Sequence, residues 1–334
     1  MRSSTPTRAV LSGPALLGWA VGLALLTLAV AAACSCFGPA ELVKSIWLLR
    51  ISRLVAAAVV GAGLATSGVA MQALLRNPLA EPYILGVSSG AGVGVIVGML
   101  LSAAAWLPGW AVTPVLSAAG ALATMAAVYA IAQRHGRLDP MVLLLSGVII
   151  NVFNAALIAA ILQFVKQEQA VEYMWWSFGK ISEWLWSQPW LLGGAGGVTA
   201  IGWLLLLWRG AAYNALGLGD DVAAASGVAV DRLRVETMVI VSIMTAAAVA
   251  LAGPIGFVGL IVPHICRLAF GPDHRLLLVV SGFVGAIFLM LADTGARVLG
   301  DWLQLGVLPV GVITALCGGP FFIVLLRRRG RAVG

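Results

Sequence analysis

Charge is scarce in this chain. Asp, Glu, Lys and Arg make up 10% of its 334 residues, against about 25% in a soluble globular domain. So few charges cannot cover a water-facing surface, which excludes an ordinary soluble fold. The apolar runs are near 20 residues long and do not alternate in polarity. A barrel strand needs only about 10 alternating residues, so a membrane barrel is excluded as well. Cysteine is sparse too: Cys34, Cys36, Cys266 and Cys317. Only the first two are neighbours, too few for a structural metal site, and all four read as small apolar side chains.

Energy-converting motifs are missing. The chain has no G-x-x-x-x-G-K-[ST] phosphate loop and no H-E-x-x-H pair. Glycines 86–98 follow no predicted strand and make no nucleotide fingerprint. Ion-coupled carriers hold titratable groups near mid-membrane, but the predicted span centres are almost bare. Asp293 and Arg297 come closest, four apart on one helix face and able to pair. Asn151 and Asn154 are polar without being titratable. His135, His264 and His274 all fall towards one side. No bound cofactor and no catalytic residue are expected, and any driving energy has to come from another polypeptide.

What is present is apolar: 61% hydrophobic residues and a mean hydropathy of +1.03. The reading is an all-α polytopic membrane protein. Spans are predicted near 14–34, 54–75, 84–105, 110–132, 141–165, 188–208, 235–252, 255–270, 275–298 and 308–326, forming a single transmembrane domain over 1–334. Gly253-Pro254 interrupts the 235–270 run, giving ten spans rather than nine. Arg2 and Arg8 precede a run too long for a signal-peptide core, read as a retained first span.

With both termini inside, fourteen of the twenty Lys and Arg residues lie on the cytoplasmic side, as positive-inside bias requires. The formal charge of +7 then needs no nucleic-acid partner. The six remaining basic residues are Lys44, Arg50, Arg53, Lys166, Lys180 and Arg297. Tryptophans 47, 106, 110, 175, 176, 184, 186, 190 and 302 fall at the outer interface, where an apolar ring with one N–H is at home. The stretch Tyr173–Trp190, which includes Lys180 and Glu183, reads as an outer loop with a surface helix. Ten spans divide into five and five, two halves that would be inverted repeats. A faint echo links "GLATSGVAMQALLRNPLAEPYILGVSSG" with "ALAGPIGFVGLIVPHICRLAFGPDHRLLLVVSG".

Two stretches interrupt this oil. Residues 76–82, "RNPLAEP", form a turn stiffened by two prolines. After it Gly86, Gly90, Gly94 and Gly98 recur every four residues, a ridge that lets a neighbouring helix approach in lipid. Residues 214–234, "NALGLGDDVAAASGVAVDRLR", are too polar to span. Asp220-Asp221 can cap a short helix through Ala225, Gly227 stops it, and Asp231 can start the next. Short helices here have no lipid reason to exist and read as a contact surface for a partner.

At "RNPLAEPYILGVSSGAGVGV", "GPIGFVGLIVPHICRLAFGPDHRLLL", "ADTGARV" and "LPVGVITALCGGPFFIVLL" the chain resembles the FecCD-type permeases of ABC importers, which serve iron–siderophore, haem and vitamin B12 uptake. The resemblance covers nearly the whole length. It implies a homodimer in the bacterial or archaeal cytoplasmic membrane, two ATPase subunits that use ATP and Mg below, and a substrate-binding protein above. The expected cargo is a metal chelate, a ferric siderophore first, with haem or cobalamin as alternatives; a stand-alone secondary carrier is the reading from another class. Asn77, Pro78 and Leu79 look like part of an inner gate, with Asn151 and Asn154 as path candidates. Leu216, Gly217, Gly219, Asp220, Asp221, Ala225, Gly227, Asp231 and Arg232 look like the ATPase-coupling element at about 216–234. Arg50, Arg53 and Arg297 look like docking contacts for the binding protein. The chain departs from the family's usual pattern at Ser52, where Pro is common, and at Val307, where an acidic residue is common.

Overall fold

The computed structural model describes residues 13–37, 44–105, 108–134, 137–182, 185 and 187–333. Among them the helices in chain order are α1 (Gly13–Cys36), α2 (Lys44–Leu74), α3 (Val87–Ala105), α4 (Gly109–Ala132), α5 (Pro140–Leu162), α6 (Gln167–Ser177) and α7 (Pro189–Trp208), then α8 (Gly210–Gly217), α9 (Asp220–Ala225), α10 (Val230–Ala252), α11 (Val258–Phe270), α12 (His274–Trp302) and α13 (Val310–Val333). A 3-10 turn, Pro82–Leu85, precedes α3. A small antiparallel hairpin, β1 (Gln133–Arg134) with β2 (Arg137–Leu138), joins α4 to α5.

Helices α1, α2, α4, α5, α7, α10 and α12 are long and apolar enough to cross a membrane, and the shorter α3, α11 and α13 are apolar as well. All ten predicted runs are therefore helical. The doubtful 235–270 stretch divides as expected. Gly253 (φ +66) ends α10, and Phe257 (φ +70), a residue with a Cβ in the left-handed region, starts α11.

The helices alternate in direction. The loop after α2, the β1–β2 hairpin, α8–α9 and residues 271–273 share one end, called here the lower face. Helix α6, residues 178–182, 185, 187 and 188, and residues 303–309 share the upper face. Trp110, Trp175, Trp190 and Trp302 are exposed near the upper face, where the tryptophan pattern puts an interface. Arg2, Arg8, Trp106, His135, Glu183, Trp184 and Trp186 lie outside the described residues.

Helix α2 is the hub and packs on α12, α10, α11 and α7. Backbones meet where glycines do. A Cβ on Gly68 would lie 1.9 Å from the Gly259 carbonyl oxygen, and one on Gly61 would lie 2.2 Å from that of Gly285. In lipid such close approach replaces the hydrophobic effect as the source of helix association. The predicted ridge behaves the same way: a Cβ on Gly94 would sit 1.9 Å from the Leu116 carbonyl oxygen, so α3 lies against α4.

Three boundaries differ from the sequence reading. Helix α2 starts at Lys44 rather than 54, because Arg50 and Arg53 find partners inside the fold and do not end it. Helix α3 starts at Val87 rather than 84, because Pro82 opens a 3-10 turn that Gly86 (φ +86) closes. The helix expected between Tyr173 and Trp190 lies earlier, as α6. The echo is also reassigned. Its two segments, α2–α3 and α11–α12, both descend to the lower face and return, so their likeness joins helices of like direction. The pair with opposite sense is α2–break–α3 and α10–break–α11, and these two units meet at their breaks.

Candidate functional site

The loop after α2 is built from local hydrogen bonds. Arg76 takes φ +46 and turns the chain. The Asn77 side-chain oxygen accepts the Leu79 N–H at 3.0 Å, and the Asn77 carbonyl accepts the Ala80 N–H at 3.0 Å. This is an Asx-type turn, one that Asn favours because its side chain imitates a backbone acceptor. Pro78 stiffens it, and Pro82 begins the 3-10 turn, where a missing N–H costs nothing. Asn77, Pro78 and Leu79 are all half-buried.

The same loop reaches into the second half of the chain. The Glu81 carboxylate accepts the Phe257 N–H at 2.6 Å, and the Tyr83 hydroxyl accepts the Ile255 N–H at 3.3 Å. A helix start leaves N–H groups without partners, and the α10–α11 break takes two of its acceptors from this loop. Burial pushes the Glu81 carboxyl up to about 7, with the Phe257 N–H offsetting part of the rise. Below it Gln72 donates to the Gly259 carbonyl at 3.3 Å and accepts from Arg267 at 3.0 Å.

At the lower face the loop is tied to the short helices. Asp220 forms ion pairs with Arg76 and with Arg234, the latter at 2.8 Å. A residue before the 3-10 turn and the first residue of α9 are thereby joined. Helix α8 is anchored from below: Leu216 and Tyr213 are fully buried, and the Tyr213 hydroxyl lies 2.8 Å from that of Thr237. Burial pushes the Tyr213 phenol up to about 12. Asn214 donates to Asp273 at 2.8 Å and accepts the His274 N–H at 2.8 Å, fastening α8 to the start of α12. Burial opposes the charge on Asp273, yet Arg275 and Asn214 together hold its carboxyl below the usual range. Glu236 takes both Arg209 and Arg232.

The expected coupling residues divide by environment. Gly217, Asp221, Ala225, Gly227 and Arg232 are exposed, together with Leu218 and Val222, which were not singled out. Leu216 is an anchor rather than a contact, and Asp231 is half-buried against Arg234 at 4.0 Å. Gly219 (φ +128) and Gly227 (φ +82) hold bends that suit glycine. The helical part begins at Gly210, before the predicted 216. Two exposed aliphatics and one acid thus make a knuckle on the lower face. The Arg76–Asp220 link is what sequence reasoning missed. The two residues lie far apart in the chain, and the only signal was an arginine and a paired acid, each in a loop.

Two sets of predicted residues sit differently from expectation. Asn154 is 7% exposed and donates to Ser89 at 3.0 Å and Thr124 at 3.2 Å, while Asn151 donates to the Ile84 carbonyl at 3.4 Å. Both brace α5 against the 3-10 turn and α3. Arg50, Arg53 and Arg297 are buried, at 5%, 3% and 7% exposure. Arg53 donates to Asp293 at 2.7 Å, Arg297 lies 3.3 Å from the same carboxylate, and Arg50 donates to the Ser35 carbonyl at 3.2 Å. Their side chains tie α1, α2 and α12 together. A charge in an apolar helix must find its counter-ion within the fold, and Asp293 supplies it. Among the described residues no three His, Cys, Asp or Glu side chains are grouped to hold a metal.

The model of the FecCD transport family matches residues 11–328. The chain belongs to the FecCD transport family. Among its relatives are the cobalamin import system permease protein BtuC of Halobacterium salinarum, 43% identical over 91% of this chain and 79% of that protein. The ABC transporter permease protein YvrB of Bacillus subtilis is 41% identical over 85% of this chain and 78% of its own. The vitamin B12 import system permease protein BtuC of Salmonella arizonae is 38% identical over 94% and 95%. A solved structure described as an inward-facing conformation of a metal-chelate type ABC transporter superposes with a TM-score of 0.81 at 29% identity, covering 93% of this chain and 99% of that one. This FecCD-family protein is a multi-pass membrane permease of an ATP-binding-cassette importer.

Proposed function

We propose that this FecCD permease carries a metal chelate across the cytoplasmic membrane as a homodimer. Its lower face, with both termini, is cytoplasmic. Two ATPase subunits that use ATP and Mg dock on the knuckle formed by α8 and α9, and a substrate-binding protein meets the upper face above the Arg50–Arg53–Arg297 cluster. The chain itself holds no cofactor and hydrolyses nothing.

One observation carries the reading: Asp220 joins the knuckle to the proline-stiffened loop, and Glu81 and Tyr83 join that loop to the α10–α11 break. A push on α9 has a short mechanical route into the middle of the helix bundle. Two rigid elements linked by a replaceable ion pair suit a gate that takes two positions. The cobalamin permeases among the relatives favour a corrinoid cargo. The metal-chelate structure suits a corrinoid and a ferric siderophore alike.

Proteoliposomes containing this chain, its ATPase and its binding protein test the proposal. Uptake of labelled cobalamin or ferric siderophore should require all three and ATP. Uphill uptake by this chain alone would overturn the reading, and whichever chelate is taken up names the cargo.

A further inference from the structure

A second feature lies away from the loop and the knuckle. A cavity of about 800 Å³ opens at the upper face between α3, α4, α6, the residues Lys180, Ser182, Leu185, Ser187 and Gln188, α7 and α10. None of its lining comes from the 76–82 loop, α5, α8, α9 or α11–α13. Its volume falls in the range of small-molecule sites, about 300–1,000 Å³.

Its walls and its mouth differ in chemistry. Val95, Met99, Pro114 and Leu191 give an apolar interior, while Glu172 and Lys180, both exposed, stand at the mouth. Val95 lies ten residues below the upper end of α3, so the apolar part reaches roughly 15 Å beneath that face at 1.5 Å per residue. That depth takes in the headgroup zone and the upper part of an acyl chain. Beside the mouth α6 exposes Val171, Met174 and Trp175, with Phe178 just beyond.

The occupant must therefore have an apolar body and present both signs of charge at one end. We propose that this cavity binds one zwitterionic phospholipid of the leaflet at the upper face. The ammonium group meets Glu172, the phosphate meets Lys180, and the upper part of an acyl chain fills the space between α3, α4 and α7. An anionic lipid would set uncompensated negative charge beside Glu172. A soluble zwitterion would leave the apolar walls uncovered. The inference rests on the membrane-spanning fold and is independent of which chelate is carried.

The test uses the full chain in nanodiscs of equal phosphatidylethanolamine and phosphatidylglycerol. The protein is returned to detergent, washed, and its lipid measured by mass spectrometry. Wild type should keep a single phosphatidylethanolamine per chain in preference to phosphatidylglycerol. The Glu172→Gln/Lys180→Gln variant changes only exposed side chains and should lose that preference by about ten-fold, the scale of a lost charge-assisted pair. Ser102→Phe, which fills the cavity, should lower occupancy whatever the headgroup. No retained lipid, equal retention of both lipids by wild type, or retention unaffected by the charge variant would overturn the proposal. Displacement by soluble phosphoethanolamine would do so as well, by marking a site for a small polar solute.

Discussion

The upper and lower faces each carry a cluster of arginines around a carboxylate, and the two clusters work in opposite ways. Above, Asp293 is completely buried between Arg53 and Arg297. Below, Asp220 sits between an exposed Arg76 and a buried Arg234, its own side chain 43% exposed. A buried pair that loses one member leaves a bare charge in a medium of low dielectric, while an exposed pair exchanges its partner for water at little cost. The upper cluster is a lock between α2 and α12. The lower one is a joint between the loop and α9 that can open and re-form.

The sharpest way to break this comparison is to neutralise the two acids separately. Asp293→Asn should destabilise the protein by about 3–5 kcal/mol, the usual cost of stranding a buried charge, read as a large fall in thermal unfolding temperature in detergent. A small fall there would mean that the upper cluster is not a lock. Asp220→Ala should cost less than Asp293→Asn, because the Arg76 side of the pair is exposed and Asp231 stays 4.0 Å from the buried Arg234. It should nonetheless depress ATP-driven uptake in the reconstituted system while the ATPase keeps its activity. Normal transport by this variant would remove the joint from the mechanism.

The last test concerns Glu81, the link between the joint and the helix break. Its carboxyl is raised from 4.5 to about 7 in the folded protein. A raised folded value means that its contribution to stability is complete below the unfolded value and is lost as pH climbs through the folded one. Glu81→Gln keeps an oxygen to accept the Phe257 N–H and cannot ionise. Wild-type unfolding temperature should decline as pH rises from about 4.5 past 7, and the variant should lack this decline. Parallel pH profiles would show that Glu81 does not titrate in this way.

Much of the architecture was legible along the chain because lipid imposes a simple rule. Every span must be an apolar helix of about 20 residues, and the ten runs from 14–34 to 308–326 obey it. Local chemistry was equally readable in places. Asn77-Pro78 makes its turn and Gly94 admits α4 because these depend on neighbours in sequence or on the absence of a side chain. The fates of Arg50, Arg53 and Asn154 were not readable. A charged or amide side chain near the end of an apolar run looks the same whether it faces a partner, a path or a counter-ion on another helix.

By itself, then, the order of residues determined the lipid-embedded helical class, the number of spans, the stiff loop and the short polar helices, because hydropathy, proline and glycine act over a few residues. Only the tertiary structure decided that Asp293 also holds Arg53, that Asp220 reaches Arg76, and that Glu81 caps the break at Phe257. Those pairings join residues from 144 to 240 positions apart in the chain, and such distances close only when helices pack.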